Sequence, residues 1–179
     1  MAMGRGVLCQ VLYYNLKNNL SMRIVIQRVK NASVTIDGTK TASIQQGYCV
    51  LLGVGKDDTE RDADILIEKL ITLRIMPDEN DKMNRSIQDT GGEILVISQF
   101  TLYADCTDGR RPSFINAAPA DEGNRLYTYF VEKLKQKNIP VQTGTFGAMM
   151  DIALVNNGPV TILLYSPVSS STHFTKSKE

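Results

Sequence analysis

Chemistry in this chain has few side chains to draw on. Of 179 residues only one is histidine, His173, near the chain end, and the three cysteines, Cys9, Cys49 and Cys106, are scattered. There is no Cys-x-x-Cys. A zinc site, a Cys-His pair or a Ser-His-Asp triad therefore lacks its material, which removes most common hydrolase mechanisms. No spacing of metal ligands stands out, so neither metal nor cofactor is expected. What remains is hydroxyl, amide, guanidinium and bare backbone, concentrated in "SQFTLY" (98–103), "GRRPSF" (109–114) and "NNGPVT" (156–161).

Each stretch has a structural and a functional reading. In "SQFTLY", Ser98, Gln99 and Thr101 lie close together at the end of an apolar run. Strand alternation would put Ser98, Phe100 and Leu102 on one face and Gln99, Thr101 and Tyr103 on the other. The group is either a half-buried strand satisfying nearby backbone or a hydroxyl-plus-amide site that handles an ester. A Thr or Ser nucleophile has no general base close by in sequence. In "GRRPSF", Arg110 and Arg111 stand before Pro112 on a loop, either solvated or set for phosphate. In "NNGPVT", Gly158 admits backbone angles closed to other residues, while Pro159 fixes its own φ and carries no N–H. The pair is a plain turn, or the backbone itself is the tool.

These stretches need elements to hold them. Residues 22–38 read as two strands joined near Lys30-Asn31 and closed by Asp37-Gly38. "GYCVLLGVG" (47–55), a continuous apolar run, reads as a buried strand. Residues 57–75 carry Ile67, Leu70, Ile71 and Ile75 at helical spacing, with Asp58 or Thr59 as cap. Residues 76–92 read as a polar loop with Lys82 and Arg85, and 93–104 as a strand entering the first motif. Residues 105–123 form a long loop. Residues 124–138 are helical through Leu126, Phe130 and Leu134, with Lys133, Lys135 and Lys137 at the helix end. Two strands flank the Gly-Pro within 141–166. Paired strands with two interspersed main helices predict an α+β fold, its mainly antiparallel sheet curved around a barrel-like core.

The length suits one domain. Charged residues make up 22% and hydrophobic residues 42%, ordinary for a globular protein. The net charge of +1 sets up no global field for a polyanion, so nucleic-acid contact would need a local basic patch. The odd cysteine count suits a reducing, cytoplasmic setting. No stretch approaches the roughly 18 apolar residues of a membrane helix. Residues 1–21 hold Arg5 and Lys17 but no acid, and read as an extension or a targeting segment. Residues 167–179 read as a frayed tail.

Taken together and in order, "MRIVIQRV", "ISQFTLYAD", "GRRPSF", "FGAMM" and "NNGPVT" resemble the D-aminoacyl-tRNA deacylase family (D-tyrosyl-tRNA deacylases) over about residues 22–166. The resemblance implies the family's fold, a homodimer, and hydrolysis of the ester in D-aminoacyl-tRNA and in mischarged glycyl-tRNA. It implies that Gly158-Pro159 is a cis peptide lent by one subunit to the other's site, where it excludes L-aminoacyl groups by collision. Backbone N–H groups around Phe100 and Thr101 would face the oxyanion, with an RNA hydroxyl helping to activate water. Gln99, Ser98 and Arg28 would support the pocket, Phe146 and Met150 would pack around the terminal adenine, and Arg110 and Arg111 would touch the acceptor end. Two rivals stay open: the same hydrolysis through Thr101 as covalent nucleophile, and a nucleic-acid-binding protein without catalysis.

Overall fold

A computed structural model describes residues 21–107 and 109–167; apart from Ser21 and Pro167, the expected extension and tail lie outside them. The fold is α+β. Eight strands occur in the order β1 (Arg23–Ile36), β2 (Thr39–Ile44), β3 (Gly47–Gly53), β4 (Met76–Pro77), β5 (Met83–Arg85), β6 (Glu93–Ser98), β7 (Val141–Thr143) and β8 (Asp151–Tyr165). The main helices are α1 (Glu60–Thr72) and α3 (Ala120–Lys135); α2 (Ile87–Thr90) is one turn, and Phe100–Tyr103 form a 3-10 turn. The main sheet runs β2-β1-β3-β6-β7, with β8 on the other side of β1. Pairings around β1 are antiparallel, whereas β3–β6 and β6–β7 are parallel. The sheet curls until β2 meets β6 and β7.

Parallel pairing falls where the sequence is continuously apolar, because β3 and β6 are covered on both faces. Tyr48, Val50, Ile94 and Val96 pack towards α1 and α3, while Cys49, Leu95 and Ile97 fill the inside of the curl. Burial pushes the Cys49 thiol up to about 11, so it is an inert core residue. α1 presents Leu66, Ile67, Leu70 and Ile71 to the core. Thr59 caps α1: the Asp62 carboxylate accepts from its N–H at 2.9 Å and its hydroxyl at 2.7 Å. Asp58, the other candidate cap, is instead buried.

Three expectations are corrected. Residues 23–36 form one strand, not two. Lys30 and Asn31 are exposed, yet the chain continues through register shifts that move its buried side chains from one apolar cluster to the other. Residues 76–92 are a β4–β5 hairpin followed by α2, where Ser86 and Asp89 exchange side-chain and backbone bonds in a capping box. The strand in "SQFTLY" stops at Ser98, so its predicted alternation ends there. Among the described residues no helix is long and apolar enough to cross a membrane.

The β3–β6 seam starts where Gly47 lies opposite Glu93. A Cβ on Gly47 would overlap the Glu93 carbonyl, which is backbone and has little room to yield. Gly47→Ala should lower stability by about 1–3 kcal/mol, read as a fall in Tm of roughly 2–4 °C per kcal/mol. Gly91→Ala, at φ 64° with open space around the added Cβ, is the comparison. It should cost only the left-handed strain of about 1–2 kcal/mol. Equal Tm values for Gly47→Ala and the unsubstituted protein would contradict this close approach.

Candidate active site

The end of β6 builds one wall. Gln99 donates its N–H to the Leu52 carbonyl at 2.7 Å, and the chain then leaves the sheet as the 3-10 turn. Leu102 N–H and Ala104 N–H close that turn onto the Gln99 and Thr101 carbonyls at 3.2 and 3.0 Å. The N–H groups of Phe100 and Thr101 open it, where a helical turn leaves donors unused, and no described hydrogen bond takes either one. The Gln99 amide donates to the Thr101 hydroxyl. Half-exposed Phe100 meets Phe114 edge to face, with ring centroids 5.0 Å apart.

The opposite wall is the loop between β7 and β8. Phe146 leans on Tyr127 of α3 at 6.0 Å between centroids and passes over Gly123. Tyr127 is anchored by its hydroxyl, which donates to the Val96 carbonyl at 3.0 Å. Met150 packs beside Gly144 and Ile97. Between the walls lies a cavity of about 690 Å³ that brings together Ser98, Gln99, Phe100, Thr101, Phe146 and Met150. No Asp, Glu, His, Lys, Arg or Cys is among the described residues that line it. It can hold an apolar or aromatic group and present backbone donors to an oxygen, but it offers no ionisable acid or base.

"NNGPVT" lies elsewhere on the chain. In the β1–β8 pairing Gln27 faces Thr161 and Val29 faces Asn156, so Asn157, Gly158, Pro159 and Val160 all stand opposite the single residue Arg28. The excess is expelled as a bulge. Side chains close its neck. Asn156 Oδ1 accepts from Val160 N–H at 2.8 Å, its amide donates to Gln27 Oε1, and the Thr161 hydroxyl donates to the same Oε1 at 2.8 Å. Buried Arg28 donates from Nε to the Asn157 carbonyl at 2.8 Å and from Nη1 to the Ile75 carbonyl at 2.6 Å. The Gly158–Pro159 peptide is cis, Gly158 has φ 142°, and both residues are exposed. Where two strands flanking the Gly-Pro are expected, β8 is thus one strand with a protrusion.

Arg28, Gly158 and Pro159 therefore form one group and the cavity residues another, and none of the three is among the described residues that line the cavity. Arg110 and Arg111 are exposed on a loop pinched by paired backbone bonds between Asp105 and Ser113, each 2.8 Å, and do not line the cavity. Sequence reasoning missed Phe114, Gly123 and Met149 as parts of the site. Gly123 left a signal: a glycine inside a helix costs about 1 kcal/mol relative to alanine, so its presence flags a close neighbour. The neighbour is Phe146, which a Cβ at this position would meet at 3.6 Å, an ordinary contact and not a clash.

Comparison with solved structures places the fold. The chain is similar to the c-Myc DNA Unwinding Element Binding Protein, with TM-score 0.77, 39% identity, and 81% of this chain and 99% of that one covered. It also shares its fold with a probable eukaryotic D-amino acid tRNA deacylase at TM-score 0.69 and 17% identity, again covering 81% and 99%. Both likenesses place the chain in the same α+β fold. In sequence, residues 25–165 match the family described as D-Tyr-tRNA(Tyr) deacylase. The D-aminoacyl-tRNA deacylase of Thermosipho africanus is 56% identical over 145 residues, covering 81% of this chain and 97% of that protein. That of Bacillus cytotoxicus is 53% identical, covering 81% and 99%. The chain belongs to the D-aminoacyl-tRNA deacylase family, enzymes that hydrolyse a carboxylic ester bond.

The neck of the bulge can be tested directly. Asn156→Ala removes the acceptor of Val160 N–H and the donor to Gln27, and should cost about 1–3 kcal/mol in urea denaturation. Asn156→Asp keeps an acceptor and should lose less at neutral pH. Indistinguishable midpoints for all three proteins would show that the side chain does not hold the bulge.

Proposed function

We propose that the chain hydrolyses D-aminoacyl-tRNA as a homodimer, in which the 157–160 bulge of each subunit enters the cavity of its partner. The observation that carries this reading is the separation of the bulge from its own cavity. Gly158 and Pro159 point outwards on a protrusion with a stapled neck. The strand around them exposes Leu154, Val155, Leu163 and Tyr165, an apolar surface of the kind that seeks a partner. Placed beside the substrate's α-carbon, backbone carbonyl groups would collide with an L side chain. A D side chain points away, and glycine has none, so mischarged glycyl-tRNA passes too. Discrimination by built-in collision needs no ionisable residue.

Chemistry follows the same economy. With no ionisable side chain among the described residues lining the cavity, the neighbouring ribose hydroxyl of the terminal adenosine helps to activate water. Water oxygen bonds to the ester carbonyl carbon, the ester C–O bond breaks, and the ribose oxygen leaves with a proton. The Phe100 and Thr101 N–H groups hold the oxyanion. Phe146 and Met150 pack on adenine, an aromatic and a thioether against a π-face. Arg110 and Arg111 meet acceptor-end phosphates. Thr101 is a poor covalent nucleophile here, because its hydroxyl accepts from the Gln99 amide and no base is among the described residues that line the cavity. Likeness to a DNA-element-binding protein is the observation favouring a binding role without catalysis.

One assay separates these readings: release of amino acid from D-tyrosyl-, L-tyrosyl- and glycyl-tRNA. Hydrolysis of the D and glycyl forms alone is expected, with most activity lost on tRNA ending in 2′-deoxyadenosine and substantial activity kept by Thr101→Ala. DNA affinity without turnover would support the binding role, and a trapped acyl-enzyme the nucleophile.

Gly158→Ala addresses the selector. Its new Cβ would lie 2.7 Å from Val160 and 3.2 Å from Arg28 Nη2, at a φ that side chains rarely adopt. A fall of about tenfold or more in D-substrate kcat/KM, or a changed D-to-L ratio, is expected in a protein that still sediments at twice the chain mass. An unchanged ratio with full D activity would restore a plain turn.

A further inference from the structure

A second set of buried polar side chains lies behind the 3-10 turn, outside the cavity. Tyr103 ends the turn and is 4% exposed. Its hydroxyl donates to the Ser21 carbonyl at 2.7 Å and lies 3.3 Å from Asp58 Oδ2. Asp58 is 7% exposed, and Oδ2 also accepts from Gly55 N–H at 2.5 Å. The Arg23 guanidinium carbon stands 3.9 Å from the centre of the Tyr103 ring, and Nη1 donates to the Leu102 carbonyl at 3.2 Å. Room for the ring comes from two glycines at the end of β3. A Cβ on Gly53 would be 3.2 Å from Tyr103 Cε2, and one on Gly55 would be 2.7 Å from the Tyr103 hydroxyl.

The reaction described above uses none of these groups, yet they grip the far end of the turn whose near end faces the ester. A 3-10 turn this short does not hold its own geometry. It is pinned at Gln99 by the bond to Leu52 and at Leu102–Tyr103 by this set. The anchor also reaches the other half of the machinery. Arg23 pairs with Tyr165 across β1–β8, the same strand pair that carries the bulge, and its guanidinium carbon lies 5.5 Å from the centre of that ring. Burial pushes the Asp58 carboxyl up to about 7.

We propose that Tyr103, seated on Gly53 and Gly55 and held by Arg23, Asp58 and the Ser21 carbonyl, is the positioning residue that sets the Phe100 and Thr101 N–H groups against the substrate ester. Tyr103 touches no substrate; it acts through the turn. This rests on the ester lying at Phe100 and Thr101. Misplacing an oxyanion donor weakens the transition state more than the bound substrate, so the loss belongs in kcat.

The test measures kcat, KM and Tm for D-tyrosyl-tRNA hydrolysis by the full chain, Tyr103→Phe and Tyr103→Leu. Tyr103→Phe keeps the ring under Arg23 and loses only the hydroxyl anchor; kcat should fall about tenfold with KM within about twofold of the unsubstituted value. Tyr103→Leu loses the ring as well and should fall about a hundredfold, so phenylalanine partly rescues leucine. Asp58→Asn, which keeps an acceptor for Gly55 N–H, should retain more activity than Tyr103→Leu. A merely structural tyrosine predicts kcat falling only in step with the unfolded fraction, and that result overturns the proposal, as does a loss confined to KM. An active unsubstituted protein matched by both tyrosine variants overturns this inference alone. An unsubstituted protein inert towards D-tyrosyl-tRNA overturns the deacylase reading and this inference with it.

Discussion

A mismatch of chain length organises this protein. Four residues of β8 must be accommodated opposite one residue of β1, and a paired ladder has no room for the surplus. The excess leaves the sheet as a protrusion whose tip is Gly158-Pro159. Arg28, the residue opposite, ties the bulge, through the Asn157 carbonyl, to the segment before β4, through the Ile75 carbonyl. The guanidinium suits this work because its planar fork reaches two acceptors at once. A buried cation held only by carbonyl oxygens is costly unless its hydrogen bonds are good, and the distances of 2.8 and 2.6 Å meet that demand.

The cavity follows a second constraint. β3 and β6 are buried on both faces, so the site is built where β6 escapes the sheet. Its floor is apolar because it continues the core through Ile97 and Val54. Its polar capacity comes from the Ser98, Gln99 and Thr101 side chains and from backbone exposed where the chain turns. A site of this kind obtains chemistry from placement more than from acid or base strength. The buried groups around Tyr103 lie on the other face of the same turn, so packing behind the site and geometry within it are linked.

Much of this could be read from the sequence, for uneven reasons. The helices were plain in their apolar spacing, and β3 and β6 in their unbroken apolar runs. α3 begins at Ala120, earlier than its periodicity suggested, because Pro119 and the acids at 121 and 122 start it before the first apolar face residue. Ser98, Gln99 and Thr101 stood out by residue type and spacing, Phe100, Phe146 and Met150 through a family resemblance, and all six share one cavity. The 3-10 turn was hidden because it depends on a tertiary bond from Gln99 to Leu52, and no local pattern carries that bond. The continuity of β1 was hidden for a related reason. Lys30 and Asn31 look like a turn, but pairing with β8 carries the chain straight through. Phe114, seen only as the end of an arginine loop, proved to be a ring neighbour of Phe100.

The neck of the bulge has one further property. Its fastening is made by the amides of Asn156 and Gln27, the hydroxyl of Thr161 and main-chain groups, with no carboxylate taking part. Arg28 adds a guanidinium whose acceptors are carbonyls. The ion pairs of Arg125 with Glu60 and Glu122, half-exposed at the surface, weaken as counter-ions accumulate. The clasp contains nothing comparable for dissolved salt or mild acid to loosen. Shifts in ionic strength can therefore alter how this protein meets a charged partner while leaving the shape of the protrusion unchanged.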